Sequence, residues 1–200
     1  FDDKKMINVS AVTFKSEWEV PCCTELDNPY RNGSKNYWRP YQSFVYHGER
    51  NYSNSINNRT RNTGTILNYT PFDWTLNLGQ PDGSPWVLSS NATHFDKNGN
   101  LLEQKDALGL YSSSGYGYGG NLVKFLSGNS RYFESGFDSF EDYKFHKCLF
   151  DDGFTFFYSV DKDDLDQVID KTNSHAGQSS LKLNTGQSLE VVFPLQNCKD

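Results

Sequence analysis

His94-Phe-Asp-Lys-Asn-Gly-Asn-Leu-Leu-Glu-Gln-Lys-Asp-Ala-Leu-Gly-Leu-Tyr-Ser-Ser-Ser-Gly-Tyr-Gly-Tyr118 is the stretch whose reading decides the fold. An aromatic and an Asp precede a Lys-Asn-Gly turn, an alternating strand follows, and Asp106-Ala107-Leu108-Gly109 closes it before a Tyr/Gly run. Asn98-Gly99 is the favoured pair for a two-residue hairpin turn, because both central positions of that turn need φ > 0. Residues 94–118 therefore predict a β-hairpin written for repetition or stacking. They contain no nucleophile, metal cage or phosphate cradle, so they point to a built surface.

The composition agrees with strands. Only 36% of the 200 residues are hydrophobic, yet 16% are aromatic, so large amphipathic rings must supply much of the burial. Asn, Ser, Gly, Asp and Tyr are abundant and Ala and Met scarce, a bias toward strands and turns. The length suffices for one large or two small domains. The net charge of −6, with Lys and Arg spread along the chain, argues against nucleic-acid binding, which needs a concentrated basic patch. Arg59 and Arg61 make no cluster. An acidic, aromatic, Asn-rich chain suits an extracellular protein facing glycans or other proteins. No apolar run approaches the ~18 residues of a transmembrane helix. The chain begins at Phe1 without a signal peptide, and we read it as a piece of a longer protein.

Outward from the opening hairpin, Ile7–Phe14, Glu17–Val20, Gln42–Tyr46 and residues 86–94 read as strands. Residues 21–41 are irregular and 48–65 form a polar loop. Residues 66–86 alternate short aromatic segments with turns, 115–120 form a Gly/Tyr turn region, and 121–127 are short helix or strand. Phe137–Tyr143 predicts a compact strand, 161–171 a turn or short helix, and 179–183 and 188–195 further strands. A change of character near Ser135 divides the chain into 1–135 and 136–200.

Cys22, Cys23, Cys148 and Cys198 contain no CxxC pair, which disfavours zinc. A Cys148–Cys198 bridge would close the C-terminal segment on itself, a vicinal bridge would be strained, and free buried thiols stay open as a reading. Glu17/Glu19, Glu141/Asp142 and the run Asp161–Asp166 offer carboxylates, but a glycosidase needs a pair set across a cleft, and solvated acid is the simpler reading. Asp96-Lys97-Asn98-Gly99-Asn100 and Asp161, Asp163, Asp164, Asp166 lack the Gly and terminal Glu of an EF-hand. His47, His94, His146 and His175 stand apart from any nucleophile motif and read as hydrogen-bonding surface or turn residues. The sequons at Asn8, Asn32, Asn51, Asn58, Asn68 and Asn91 reflect the Asn-rich composition. Trp38, Trp74, Trp86, Tyr116 and Tyr118 lie beside Gly or Pro turns. Rings placed so can stack on sugars, or they can serve as core or hairpin-staple aromatics.

Residues 95–109, with Phe95 in the place of the usual Tyr, then Asp96, Gly99-Asn100-Leu101 and Asp106-Ala107-Leu108-Gly109, resemble the YD (tyrosine–aspartate) repeat of Rhs-like proteins. That resemblance implies a hairpin-built β-sheet shell that encloses or displays other domains. Asn28-Pro29-Tyr30, Trp38-Arg39-Pro40, Lys105–Gly109, Tyr116-Gly117-Tyr118 and Phe137–Tyr143 are together similar to modules of very large secreted proteins of Bacteroidetes. Phe140-Glu141-Asp142-Tyr143 followed by Ser174–Leu183 resembles the opening strands of carbohydrate-binding-like jelly rolls. There, acids near the first strand hold a structural Ca²⁺, which maps onto Asp138, Glu141 and Asp142.

The expectation is a mostly β chain: a hairpin-rich, YD-like antiparallel sheet over 1–135, then a partial jelly-roll-like β-sandwich segment over 136–200. Its expected role is non-catalytic: a structural or adhesive segment of a large secreted cell-surface protein that contacts other chains or domains of an extracellular assembly. No cofactor is required, and Ca²⁺ is the cation to expect if a structural metal is present. The alternative is a carbohydrate-binding module whose roll is completed elsewhere.

Overall fold

The computed structural model describes residues 6–20, 28, 30, 37–51, 64–76, 80–141, 155–158, 168–174 and 177–192. The four cysteines, Asp142 and the acidic run Asp161–Asp166 lie outside the described residues. The chain is mostly β, as its composition requires. Twelve strands are described: β1 (Ser10–Lys15), β2 (Arg39–Tyr46), β3 (Arg50–Asn51), β4 (Thr65–Ile66), β5 (Trp86–Phe95), β6 (Leu101–Asp106), β7 (Tyr111–Gly117), β8 (Leu122–Gly128), β9 (Thr155–Tyr158), β10 (Ile169–Asp170), β11 (Ser180–Leu181) and β12 (Leu189–Val192). Six of them form one sheet in the order β1-β2-β5-β6-β7-β8, every pairing antiparallel. This is a meander interrupted once, between β2 and β5, by the β3–β4 hairpin and an aromatic loop. β9 pairs with β12 and β10 with β11. No described helix is long and apolar enough to cross a membrane.

The opening hairpin is there, but its turn is of another kind. Asn98 is not among the residues with positive φ; only Gly99 is, at +89°. Gly99 N–H donates to Asp96 O (3.0 Å), and Asp96 N–H donates to Asn100 O (2.9 Å). This is a type I turn followed by a glycine in the left-handed region, the three-residue loop in place of the two-residue one. The cause is Asp96, whose Oδ1 accepts the N–H groups of Asn98 and Asn100 (both 2.8 Å) and so selects the wider turn. The paired-positive geometry occurs two hairpins later, at Tyr118 (φ 55°) and Gly119 (φ 74°), between β7 and β8.

Two further expectations fail locally. Glu17–Val20 alternates but is not a strand, since the Trp18 indole donates to Lys15 O (3.0 Å) and Asn28 Nδ2 donates to Trp18 O (3.0 Å). Those bonds turn the segment back over the sheet. Phe137–Glu141 is likewise no strand; Asp138 Oδ1 takes the Phe140 N–H (2.8 Å) and Phe140 sits at φ 60°. Tyr143 lies outside the described residues.

Each face of the sheet has its own apolar cluster. Ala11, Phe44, Tyr46, Ile66, Phe72 and Trp86 form one, and Trp18, Val20, Tyr30, Ala92 and Phe95, joined by Tyr41 and Leu101, form the other. On β2, Tyr41 and Phe44 are an odd number of residues apart, so alternation puts them on opposite faces. An extra residue on β5, Ser89 between the Phe44↔Leu88 and Ser43↔Ser90 pairs, keeps Leu88 with Phe44 and moves Ala92 to the side of Tyr41. Ile66 and Phe72, between β2 and β5 in sequence, belong to the first cluster, and Trp18, Val20 and Tyr30, between β1 and β2, to the second.

Candidate functional site

One end of the sheet is held by side chains. The β5–β6 and β7–β8 turns lie side by side there, because the connections of a meander alternate between its ends. Asn98 Nδ2 donates to Gly119 O (2.9 Å), and Asn100 Nδ2 reaches both Asp96 Oδ2 (2.8 Å) and Gly120 O (2.7 Å). A carboxylate and two amides thus tie neighbouring hairpins. Their donors are spent on backbone carbonyls, and the Asp96 oxygens accept N–H groups. Arg39 packs against Gly99 at the same end; a Cβ there would stand 2.0 Å from Arg39 Nη2.

In the middle of the sheet sits a feature the sequence did not disclose. Glu103, on β6, is only 4% exposed. Opposite it β5 carries an extra residue, Thr93, between the Ala92↔Gln104 and His94↔Glu103 pairs. Consecutive strand residues ordinarily point to opposite faces, and this bulge lets both Thr93 and His94 aim at one carboxylate. Thr93 Oγ1 donates to Glu103 Oε1 (2.5 Å), His94 Nδ1 lies 3.1 Å from the same oxygen, and Tyr132 N–H donates to Oε2 (2.8 Å). Burial pushes the Glu103 carboxyl upward, the largest single influence. The hydrogen bonds from His94, Thr93 and the Tyr132 N–H, with the charge of His94, together outweigh it and hold the group below the usual range. Phe133 stands edge-on to the His94 ring at 6.0 Å, and Tyr132 is fully buried. The assembly is a charged hydrogen-bond hub. The hydrogen-bonding role expected of His94 is met here, and Glu103 is a residue that the sequence does not single out.

The five aromatics do not gather. Trp86 is 5% exposed, packs edge-on to Tyr46 (5.1 Å) and Phe72 (5.1 Å) and donates to Thr70 O (3.0 Å), so it is a core residue and offers no face to a sugar. Trp38 is 59% exposed and Trp74 66%. Trp38 precedes the start of β2, Tyr116 and Tyr118 lie at the end of β7, and all three belong to the tied end of the sheet. Three strand spacings separate them, roughly 14 Å. Trp74 lies toward the far end of β2, backed by Phe72 at 4.6 Å. Its turn is rigid: Gln80 accepts from Asp73 N–H (3.1 Å) and donates to Asp73 O (2.9 Å), and Asp73 Oδ1 accepts the hydroxyl and N–H of Thr75. Those two Thr75 bonds, the hydroxyl first, hold the Asp73 carboxyl below its ordinary value.

Of the candidate calcium ligands, Glu141 turns its Oε1 onto the N–H groups of Gln178 (2.6 Å) and Ser179 (2.8 Å). Gly177 (φ +80°) approaches so closely that a Cβ would stand 2.3 Å from that oxygen. Glu141 therefore accepts two consecutive backbone N–H groups immediately before β11. Among the described residues no group of three or more His, Cys, Asp or Glu side chains could hold a metal ion. Comparison with protein-family models, with curated proteins and with solved structures returned no match to this chain.

Proposed function

We propose that this chain is a non-catalytic structural and adhesive segment of a large secreted cell-surface protein, a contact surface within an extracellular assembly. The observation that carries the reading is the end strand β8. It is the last strand of the six-stranded sheet among the described residues, and it holds Leu122, Val123 and Leu126 toward solvent, Leu126 at 78% exposure. An apolar sheet edge is costly to leave in water and is a ready template for another chain. The sheet's polar side chains support this role, since Asp96, Asn98, Asn100 and Glu103 all spend their bonds on the protein itself.

Cross-linking of the intact parent protein on its native surface tests the reading. Cross-links should concentrate on β8, and Leu122→Lys with Leu126→Lys should reduce them several-fold while the purified chain stays folded. An even scatter of cross-links, unaltered by the pair, would overturn it. Carbohydrate binding is the second reading, favoured by the exposed, rigidly backed Trp74. A glycan array probed with the purified chain should then show binding that Trp74→Ala abolishes.

A further inference from the structure

We propose that residues Ser130–Ser135 form a strap latched onto the sheet by the Glu103 carboxylate, opening and closing as a unit separate from the β ladder. The strap is assembled from its own bonds. Glu134 N–H donates to Arg131 O (3.1 Å), Arg131 N–H donates to Glu134 Oε2 (2.9 Å), and the Ser130 and Ser135 hydroxyls are hydrogen-bonded across its base. None of these bonds involves the sheet.

Its holds on the sheet differ in kind. Ser130 N–H donates to Tyr111 O (3.2 Å), the Arg131 guanidinium lies over the Tyr111 ring (4.5 Å), Phe133 meets the edge of His94, and Tyr132 N–H ends on Glu103. The first three are a backbone bond at the strap's base and side-chain contacts at its margins. Among these four, the last joins the strap's buried centre to a charge, and the chain there is that of the fully buried Tyr132. A hydrogen bond to a charged partner is worth about twice a neutral one, and a buried carboxylate left short of donors is costly. Closing the strap supplies the third donor that Glu103 lacks when the strap is open. That gives two discrete states, with the ionised carboxylate favouring the closed one. Opening would bare the Tyr132 side chain and the Glu103–Ser113 row of the sheet, and would free the direction in which the chain continues beyond Ser135.

Amide hydrogen exchange on the whole chain reads the latch directly. In Glu103→Gln the protection of the Tyr132 amide should fall about tenfold or more, while the β6–β7 ladder amides keep theirs. Thr93→Val removes a donor on the other oxygen and should leave Tyr132 within roughly threefold of the original. The titratable group against Glu103 is His94 from β5; the charged groups on the elements around it are Lys105 on β6 and Arg131, both over the Tyr111 ring of β7, and Glu134, bonded to Arg131 N–H within the strap. The bonds that hold the folded carboxyl below its ordinary value include the one from Tyr132 N–H, which is stronger to a charged partner, so the closed state is favoured while Glu103 is ionised. It loses its advantage as pH falls through the lowered value. Protection factors at Tyr132, which divide out intrinsic exchange, should drop over that acid window before the ladder does. An unchanged Tyr132 amide in Glu103→Gln would overturn the latch. So would equal losses at Tyr132 and the ladder, which would make Glu103 part of one cooperative sheet, or a loss in Thr93→Val as large as in Glu103→Gln.

Discussion

The turns at Asp96–Asn100 and Asp106–Leu110 share one backbone and differ in what they do. In each, the Asp Oδ1 accepts the N–H groups two and four residues on, at 2.8–2.9 Å. In each, the Asp N–H donates to the carbonyl of the fifth residue, and a glycine sits in the left-handed region, at +89° and +85°. The third and fifth positions separate them. The first turn carries Asn98 and Asn100, which reach the next hairpin, and the second carries Leu108 and Leu110, with Leu108 83% exposed. Asp-x-x-Gly sets the shape of a turn, and the residues between and after decide whether it is tied to a neighbour.

If that division is right, the same substitution must cost more at the tied end. Asp96→Ala removes the acceptor of two backbone N–H groups and of Asn100 Nδ2, and should destabilise by about 2–3 kcal/mol in denaturant unfolding. Asp106→Ala removes two backbone contacts only and should cost about 1–2 kcal/mol. Equal losses would break the comparison. Gly99→Ala and Gly109→Ala sharpen it one step lower. Both pay about 1 kcal/mol for an L-residue at positive φ. At Gly99 the new methyl also drives the Arg39 guanidinium from its seat, 2.0 Å away, whereas at Gly109 the nearest atom is Lys105 Cε at an ordinary 3.4 Å. Gly99→Ala should therefore lie about 1 kcal/mol below Gly109→Ala.

These pairs also show which features a sequence can carry. Gln42–Tyr46 and Trp86–His94 announce strands because alternation is local, and the aromatic-Asp-x-x-Gly pattern locates the hairpin. The type of its turn was misread because the Asn-Gly preference yields to an Asp two residues upstream. Glu17–Val20 alternates as well as any strand, yet bonds from Lys15 and Asn28 divert it. Glu103 was illegible for a related reason. Nothing in Leu-Leu-Glu-Gln-Lys-Asp sets it apart, and its burial depends on a bulge at Thr93 and on a strap 29 residues further along. Trp86 and Trp74 sit beside similar turns, and only the fold of the 64–76 loop puts one inside and leaves the other out.

The smallest effects isolate the tie itself. Asn100→Leu converts the first turn to the residue type of the second. Asp96 Oδ1 would still hold both N–H groups, so the turn should persist, with Gly99 keeping its left-handed shift in NMR spectra. Gly120 O and Asp96 Oδ2 would each lose a donor at the surface, where water replaces it in part, and stability should fall by about 1 kcal/mol. The reciprocal change, Leu110→Asn, meets a turn that makes no side-chain bond to another hairpin turn among the described residues and should stay within about 0.5 kcal/mol of the original. A gain there as large as the loss at Asn100 would mean that an Asn at the fifth position stabilises its own turn through the Asp carboxylate. The contact with the next hairpin would then be incidental, and the two ends of the sheet would differ in appearance only.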